Sequence, residues 1–426
     1  MNHVHAPIRL SLLAMIVAVL TLALLAPGLA GAKAGNGHGP PNGKAKVHKA
    51  KAHGHPGKGH PGKGHHGHPG KGKVVATMTR NLYLGANLTP AIGVTSIEAL
   101  AEANGQILRE VTANSFPTRA RGLAAEILEK KPDLVGLQEV ALWRTAPPSL
   151  TPLVAGPSAT TVRYDYLAEL LAELNRGKGK DGKGKPQYEV VVVQNQFDLE
   201  APADENNVVG DGPGGPLVDA EINGRLTMRD VILARRGAGV QTWNAQSAHF
   251  ATLLKVPILT AELAIARGWT ATDAKVRGSK PFRFVNTHLE AFHPGIRLAQ
   301  AGELVAPGGP ATSSSLPVVL LGDLNSDDDT VAFPDTLAYE ALETAGMVSV
   351  STDDPLSCCL GRSLLAATPQ EELEGSADFD HQVDHIMTRD PDVVTLRSSS
   401  VTGLLPVNGF WSSDHAGVFS ALRFAR

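Results

Sequence analysis

The stretch PVVLLGDLN, residues 317–325, opens as an apolar run and closes on polar residues. Pro317–Leu321 is short, β-branched and uncharged, which predicts a buried strand. Gly322-Asp323-Leu324-Asn325 follows directly. Taken alone, these four residues could be a plain tight turn, with Gly322 at positive φ and Asp323 capping. In layered α/β folds, however, polar groups just beyond strand ends converge on one crevice, and that is where ligands bind.

Working outward, the same strand-then-polar pattern recurs. Strands are predicted at Lys73–Met78, Asp133–Gln138, Tyr188–Gln194, Asp230–Ala234, Phe282–Thr287, Val383–Met387 and Ala416–Leu422. Polar signatures flank several of them: Thr79-Arg80-Asn81-Leu82, Leu137-Gln138-Glu139, Asn286-Thr287-His288-Leu289, Gln382-Val383-Asp384-His385 and Ser413-Asp414-His415. Helical periodicity lies between the strands, from Thr118 to Lys131, at Tyr164–Leu174, at Pro294–Leu304 and at Thr336–Ala345. Strands alternating with helices predict an α/β domain. No composition break occurs inside 74–426, so one domain is expected there. Two insertions interrupt the pattern, GKGKDGKGK at 177–185 and an acidic Gly/Pro-rich stretch at 201–225. Both have the length of lids or disordered surface loops.

The N-terminus has a different character. Residues 10–25, LSLLAMIVAVLTLALL, follow Arg9 and precede two A-x-A-like sites, so a signal peptide over 1–30 with cleavage after Ala30 or Ala34 is expected. A membrane anchor is the competing reading, but 16 residues are short for a span of about 20. Residues 31–73 form a His/Gly/Lys/Pro-rich linker with nine lysines, eight histidines and no acid. Such a segment cannot bury a core and is expected to be disordered. It is read as a basic tether that contacts an anionic surface or simply as a solvated spacer. A formal Gly57-x-Gly59-x-x-Gly62 match lies inside it, with no strand before and no helix after, and is discarded. The whole chain carries −3; the nine tail lysines and Arg9 account for +10, so residues 74–426 carry −13. An acidic body argues against tight nonspecific nucleic-acid binding, though not against a metal-dependent nuclease. The only cysteines, Cys358 and Cys359, are adjacent, so no disulfide scaffold exists, although an exported chain could join them as a vicinal disulfide.

Each polar signature is weak by itself, since a carboxylate after a strand is usually a cap and a lone histidine is usually structural. Together they form a coherent set. Asn81, Glu139, Asp323, Asn325 and Asp414 offer oxygen donors only, which suits a hard cation such as Mg²⁺ rather than zinc. Two histidines of the set, His288 and His415, can move protons near neutral pH. Ser413-Asp414-His415 first suggests a serine triad. No G-x-S-x-G elbow exists, and consecutive side chains on an extended segment point to opposite faces, so that reading is rejected.

The ordered set Asn, Gln-Glu, Asn-Thr-His-Leu, Gly-Asp-x-Asn, Asp, Ser-Asp-His resembles the endonuclease/exonuclease/phosphatase superfamily, with its DNase I-like fold, from Val74 to the C-terminus. The resemblance implies a four-layer sandwich of two packed mixed β-sheets flanked by helices. It implies Glu139, Asn81 and Asp414 as metal residues, His415 as the base that activates water, and Asp384 as its orienting carboxylate. Asp323 and Asn325 would hold the nucleophile and a phosphoryl oxygen, and His288 would stabilise the charged intermediate or assist the leaving group. The implied activity is secreted, Mg²⁺-dependent phosphodiester hydrolysis, with Mn²⁺ or Ca²⁺ as substitutes, by a monomer without a stable protein partner. A nuclease acting on DNA or RNA is the leading reading. A sphingomyelinase/phospholipase C-like enzyme acting on a phospholipid headgroup and an inositol-phosphate phosphatase are alternatives. The alternative of another class is a non-catalytic exported binding module. Two features depart from the pattern. Arg80 stands where many relatives have Trp, so stacking behind the metal site is lost or replaced, with Trp143 as a candidate wall. His385 and the two cysteines take no role from the family, and His385 is read as structural.

Overall fold

The computed structural model describes residues 73–176, 187–237, 239–328, 335–351, 356–360, 364 and 378–425, all within one compact unit. The expected signal peptide, nearly all of the expected basic linker and the GKGKDGKGK insertion lie outside the described residues.

The chain opens with β1 (Val74–Asn81), α1 (Ile97–Ala113), α2 (Phe116–Lys130) and β2 (Leu134–Gln138). Then come β3 (Leu142–Ala146), the short α3 (Pro152–Ala155), β4 (Thr161–Asp165), α4 (Tyr166–Leu174), β5 (Tyr188–Ala203) and β6 (Ile222–Arg235). The second half holds β7 (Val240–His249), β8 (Leu254–Ile258), β9 (Ala261–Ile265), β10 (Gly268–Val276), β11 (Phe282–His288), α5 (Pro294–Val305) and β12 (Val318–Asp323). It ends with α6 (Leu337–Thr344), β13 (Val348–Ser349), β14 (Asp384–Thr388), β15 (Val394–Thr402) and β16 (Gly417–Phe424).

Two mixed sheets result. One has the order β15-β16-β1-β2-β6-β3-β4, with β5 also on β6; the other has the order β13-β14-β12-β11-β10-β7. Period-two alternation divides their side chains between layers. Leu134, Ile232, Val319 and Leu321 point into a core between the sheets. Their neighbours Val135 and Val231 face α1, α2 and α4 instead, and Val318 and Leu320 face α5 and α6. The fold is therefore a four-layer α/β sandwich, helices outside and sheets inside, as expected.

Each predicted strand and helix is present, with small differences at the ends; Tyr164 and Asp165, for example, finish β4 rather than starting a helix. Eight strands, α1 and the short α3 carry no such signal in the sequence. In α1 the pair Asn104-Gly105 looks like a break, yet Gly105 is where the backbone of Asp204 packs against the helix, leaving no space for a Cβ. Strands β3, β4, β7 and β15 are half-exposed and polar, so they lack the apolar run that marks a buried strand. The 201–225 insertion is bounded by the ends of β5 and β6, with turns between them. Gly322 does have positive φ (150°), but inside β12 rather than in a turn, because a Cβ would strike the Thr287 backbone of β11.

Candidate active site

The sheet ladders bring the polar signatures to one end. β1 runs parallel to β2, placing Asn81 opposite Gln138. β11 runs parallel to β12, placing His288 opposite Asp323, and β14 runs antiparallel to β12, placing Asp384 on the other side of Asp323. β16 is antiparallel to β1, so the segment before it, with Asp414 and His415, meets the end of β1. Asn286 links the sheets: its Nδ2 donates to Leu137 O (3.2 Å), and its Oδ1 accepts from Gln138 Nε2 (2.6 Å).

His415 is buried, and its Nδ1 lies 2.8 Å from Asp384 Oδ2. Its Nε2 is 3.8 Å from Asp323 Oδ2. Asp323 accepts from Asn81 Nδ2 (2.9 Å) and from the Asn325 backbone N–H (2.9 Å), and His288 Nε2 is 3.4 Å from the same carboxylate. Asn325 spends one amide hydrogen on Leu289 O (3.1 Å) and keeps the other. Glu139 Oε2 accepts from Leu84 N (2.7 Å), and Glu139 shares a cavity wall with Asp414. Glu139 and Asn325 both hold left-handed backbones, φ 54° and 48°. Strain of this kind concentrates at functional sites and is held by surrounding contacts. Asn81, Asp323, Asn325, His288, Asp384 and His415 thus form one bonded cluster, and Glu139 and Asp414 adjoin it through the cavity.

Electrostatics follow from burial and crowding. Burial raises the Glu139 carboxyl, and the neighbouring Asp414 raises it further. Burial also raises Asp323, as does Asp384, and burial raises Asp414 together with Asp323. For His415, burial pulls the pKa down, but the carboxylates of Asp384 and Asp323 outweigh it and push it up to about 10. His288 moves the other way: burial, then the nearby Arg267, hold it well below 6.5, so it stays neutral. Carboxyls that raise one another, with oxygen donors nearby and no soft ligand among Glu139, Asn81 and Asp414, fit a hard divalent cation.

Other residues of the site carried no motif. Arg267, just before β10, is buried with Nη1 2.8 Å from His288 Nδ1 and no partner for Nε. Asp230 accepts from Gln196 Nε2 (2.7 Å), and burial pushes it up to about 7 against the pull of Arg267. Nothing local in the sequence marks these residues, because burial beside the site is a tertiary property. Arg80 does not stack behind a metal. It is fully buried, pairs with Glu126 (3.1 Å) and donates to the carbonyl of His415, so it braces the His415 backbone from behind. Trp143 is buried in the cavity wall and donates to Leu84 O (3.0 Å). His385 Nε2 lies 2.9 Å from Ser326 O, a structural bond. Ser413 donates to Asn81 O (2.9 Å) and accepts from the His415 N–H, which is turn chemistry.

Beside the cluster lies an apolar cavity of about 240 Å³. The two-stranded β8–β9 hairpin forms one wall, turning Leu254, Val256 and Leu263 inward while Lys255 and Glu262 stay exposed. Glu139, Arg267 and Asp414 line the same space.

Residues 103–415 match the Endonuclease/Exonuclease/phosphatase family. Among curated proteins, none matches. Solved structures of similar shape include an endonuclease/exonuclease/phosphatase family protein from Bacteroides thetaiotaomicron, 13% identical, with TM-score 0.46 over 83% of this chain and 99% of that one. A mannosyl-6-phosphatase from the same organism is 14% identical, with TM-score 0.45 over 82% and 100%. D. rerio TDP2, solved with a single-strand DNA product, is 14% identical, with TM-score 0.43 over 82% and 99%.

Proposed function

Because this chain belongs to the endonuclease/exonuclease/phosphatase family of phosphoester hydrolases, we propose that it hydrolyses phosphodiesters by in-line attack of water. The observation that carries this reading is the His415–Asp384 pair at 2.8 Å, with Nε2 turned towards Asp323, 3.8 Å away. Held through Nδ1, the imidazole presents one fixed nitrogen that takes a proton from water. Asp323 and Asn325 orient that water and a phosphoryl oxygen. His288, kept neutral, donates a hydrogen bond that strengthens as charge grows on the equatorial oxygens. Glu139, Asn81 and Asp414 would hold Mg²⁺. When bound, that ion neutralises the phosphoryl and leaving oxygens and offsets the field that keeps His415 protonated.

For the substrate, the cavity favours the second of the sequence readings. A mostly apolar chamber opening on Glu139 suits a phosphodiester with an apolar group, such as a phospholipid, better than a nucleic acid. The charge of −13 on residues 74–426 supports the same choice. The signal-like N-terminus supports action outside the cytoplasm. The test is a substrate panel with the purified chain: phospholipids including sphingomyelin, single-stranded and plasmid DNA, RNA, inositol phosphates and phosphomonoesters, with Mg²⁺ and with chelator. Hydrolysis that survives chelation, or no hydrolysis of any member, overturns the proposal and in the latter case leaves a binding module. Preference for DNA or RNA over phospholipid overturns only the substrate choice.

A further inference from the structure

The vicinal pair Cys358–Cys359 lies against the base. The two are joined as a disulfide, Cys358 is buried and Cys359 is exposed. Cys358 Sγ is 3.6 Å and Cys359 Sγ is 4.0 Å from Nε2 of His415, the nitrogen opposite the one that Asp384 holds. The segment is fixed by the strands that build the site. Ala416 N–H donates to Ser357 O (2.7 Å), Leu360 N–H to Asp414 O (3.0 Å), and Asp384 N–H to Ser357 Oγ (3.1 Å).

Two thiolates and one imidazole nitrogen form a soft donor set, unlike the oxygen set at Glu139. The three ligand atoms lie within 4.8 Å of one another. With Zn–S of about 2.3 Å and Zn–N of about 2.0–2.1 Å, tetrahedral ligands stand roughly 3.5–3.8 Å apart, close to the sulfur–nitrogen distances here. Two sulfurs bonded to each other cannot both ligate, so the site exists only after reduction. The geometry points to a second, inhibitory metal site: in the reduced protein, Cys358 Sγ, Cys359 Sγ and His415 Nε2 bind a thiophilic divalent cation of the zinc class, and His415 is thereby taken from the active site. The inhibitory part rests on the proposed role of His415 as base; the binding part does not.

The chemistry balances. A dithiol gives two electrons and two protons to the Cys358–Cys359 disulfide, leaving two cysteine thiols and a cyclic disulfide of the reductant. The cation then displaces two thiol protons and the Nε2 proton of His415, all three going to solvent, and binds the imidazole nitrogen so freed. Exchange with a small-molecule disulfide re-forms Cys358–Cys359, leaves the oxidant as two thiols and releases the cation to solvent, so an oxidising compartment keeps the enzyme free of this block.

The test uses the full chain with Mg²⁺, oxidised or reduced by a phosphine that is then removed without air. Cobalt(II) titrated into the reduced protein is expected to give a sulfur-to-cobalt charge-transfer band with one ion per chain. Zn²⁺ should displace it and cut hydrolysis by about 10² or more, the scale on which loss of a general base is felt. Oxidised wild type and Cys358→Ser/Cys359→Ser should show no band and no loss beyond any common effect of Zn²⁺ on the Mg²⁺ site. Should buried Cys358 not tolerate serine, Cys359→Ser alone is expected to weaken cobalt binding. His415→Ala should do the same, a readout independent of activity, so a protein that hydrolyses nothing still tests the site. Absence of the band, equal Zn²⁺ sensitivity in the double variant, unchanged cobalt affinity in His415→Ala, or full activity in the zinc-loaded reduced enzyme each overturns the inference.

Discussion

Asp323 and Asp384 stand opposite each other across the β12–β14 ladder, and this one register puts both carboxylates within reach of His415. A one-residue slip would turn one of them to the other face of the sheet. Asp384 holds Nδ1, Asp323 faces Nε2, and the His415 imidazole has a single orientation.

From that pairing, His415→Ala should lower kcat by about 10² or more while circular dichroism stays unchanged. Asp384→Asn should also slow turnover, and adding it to His415→Ala should cost little more, since residues acting as a unit are not additive. Additive losses in the double variant would show that the two act separately.

Glu139 bears on metal affinity. Glu139→Gln should weaken Mg²⁺ binding by at least about tenfold, seen by calorimetric titration. Mg²⁺ should raise the melting temperature of the wild type, because a ligand of the folded state alone stabilises it. An equal shift in Glu139→Gln would move the metal elsewhere.

A pH effect on stability follows from Asp230, which burial raises from 3.8 to about 7. Between those values the folded state holds a proton that the unfolded chain has released, so this group's stabilising contribution falls as pH rises and levels off above about 7. Asp230→Asn should remove that component. Urea unfolding at pH 5 and pH 8 should therefore show a smaller loss with pH in the variant; an unchanged difference would rule Asp230 out as its source.

The hairpin wall separates substrate binding from chemistry. Leu263→Asp should raise KM for a phospholipid about tenfold or more, by placing a charge in an apolar chamber. Its kcat on a small soluble phosphodiester should stay near wild type. Equal losses on both substrates would show that the change reaches the site itself.

Arg80 sets a buried ion pair under the His415 backbone. Arg80→Ala leaves Glu126 largely buried without its partner, a loss of about 3–5 kcal/mol. Chemical denaturation checks this, and a change below about 1 kcal/mol would mean that Glu126 is solvated in the variant.

Much of this arrangement is legible in the chain. Pro317–Leu321 and Asp133–Gln138 have the apolar runs of doubly covered strands and are found there, in β12 and β2. Asn81, Glu139, His288, Asp323, Asp384 and His415 stand at or beside strand ends, where a local pattern can flag them. Strands β8 and β9 could not be found this way, since their apolar residues face a cavity rather than a continuous core. Arg267 and Asp230 were invisible because an isolated charged residue has the same local signature on the surface as inside.

What the sequence determined by itself is the kind of residue at the motif-bearing strand ends, the order of the most apolar strands and of four helices, and the oxygen-donor character of Glu139, Asn81 and Asp414. Those follow from periodicity and side-chain chemistry, which are local. Tertiary structure decided the contacts: that Asn81 meets Asp323 at 2.9 Å across 242 residues, that two cysteines abut His415, and that a hairpin closes an apolar chamber beside Glu139. Such contacts depend on sheet register and on how two sheets face each other, and no short stretch of chain encodes either.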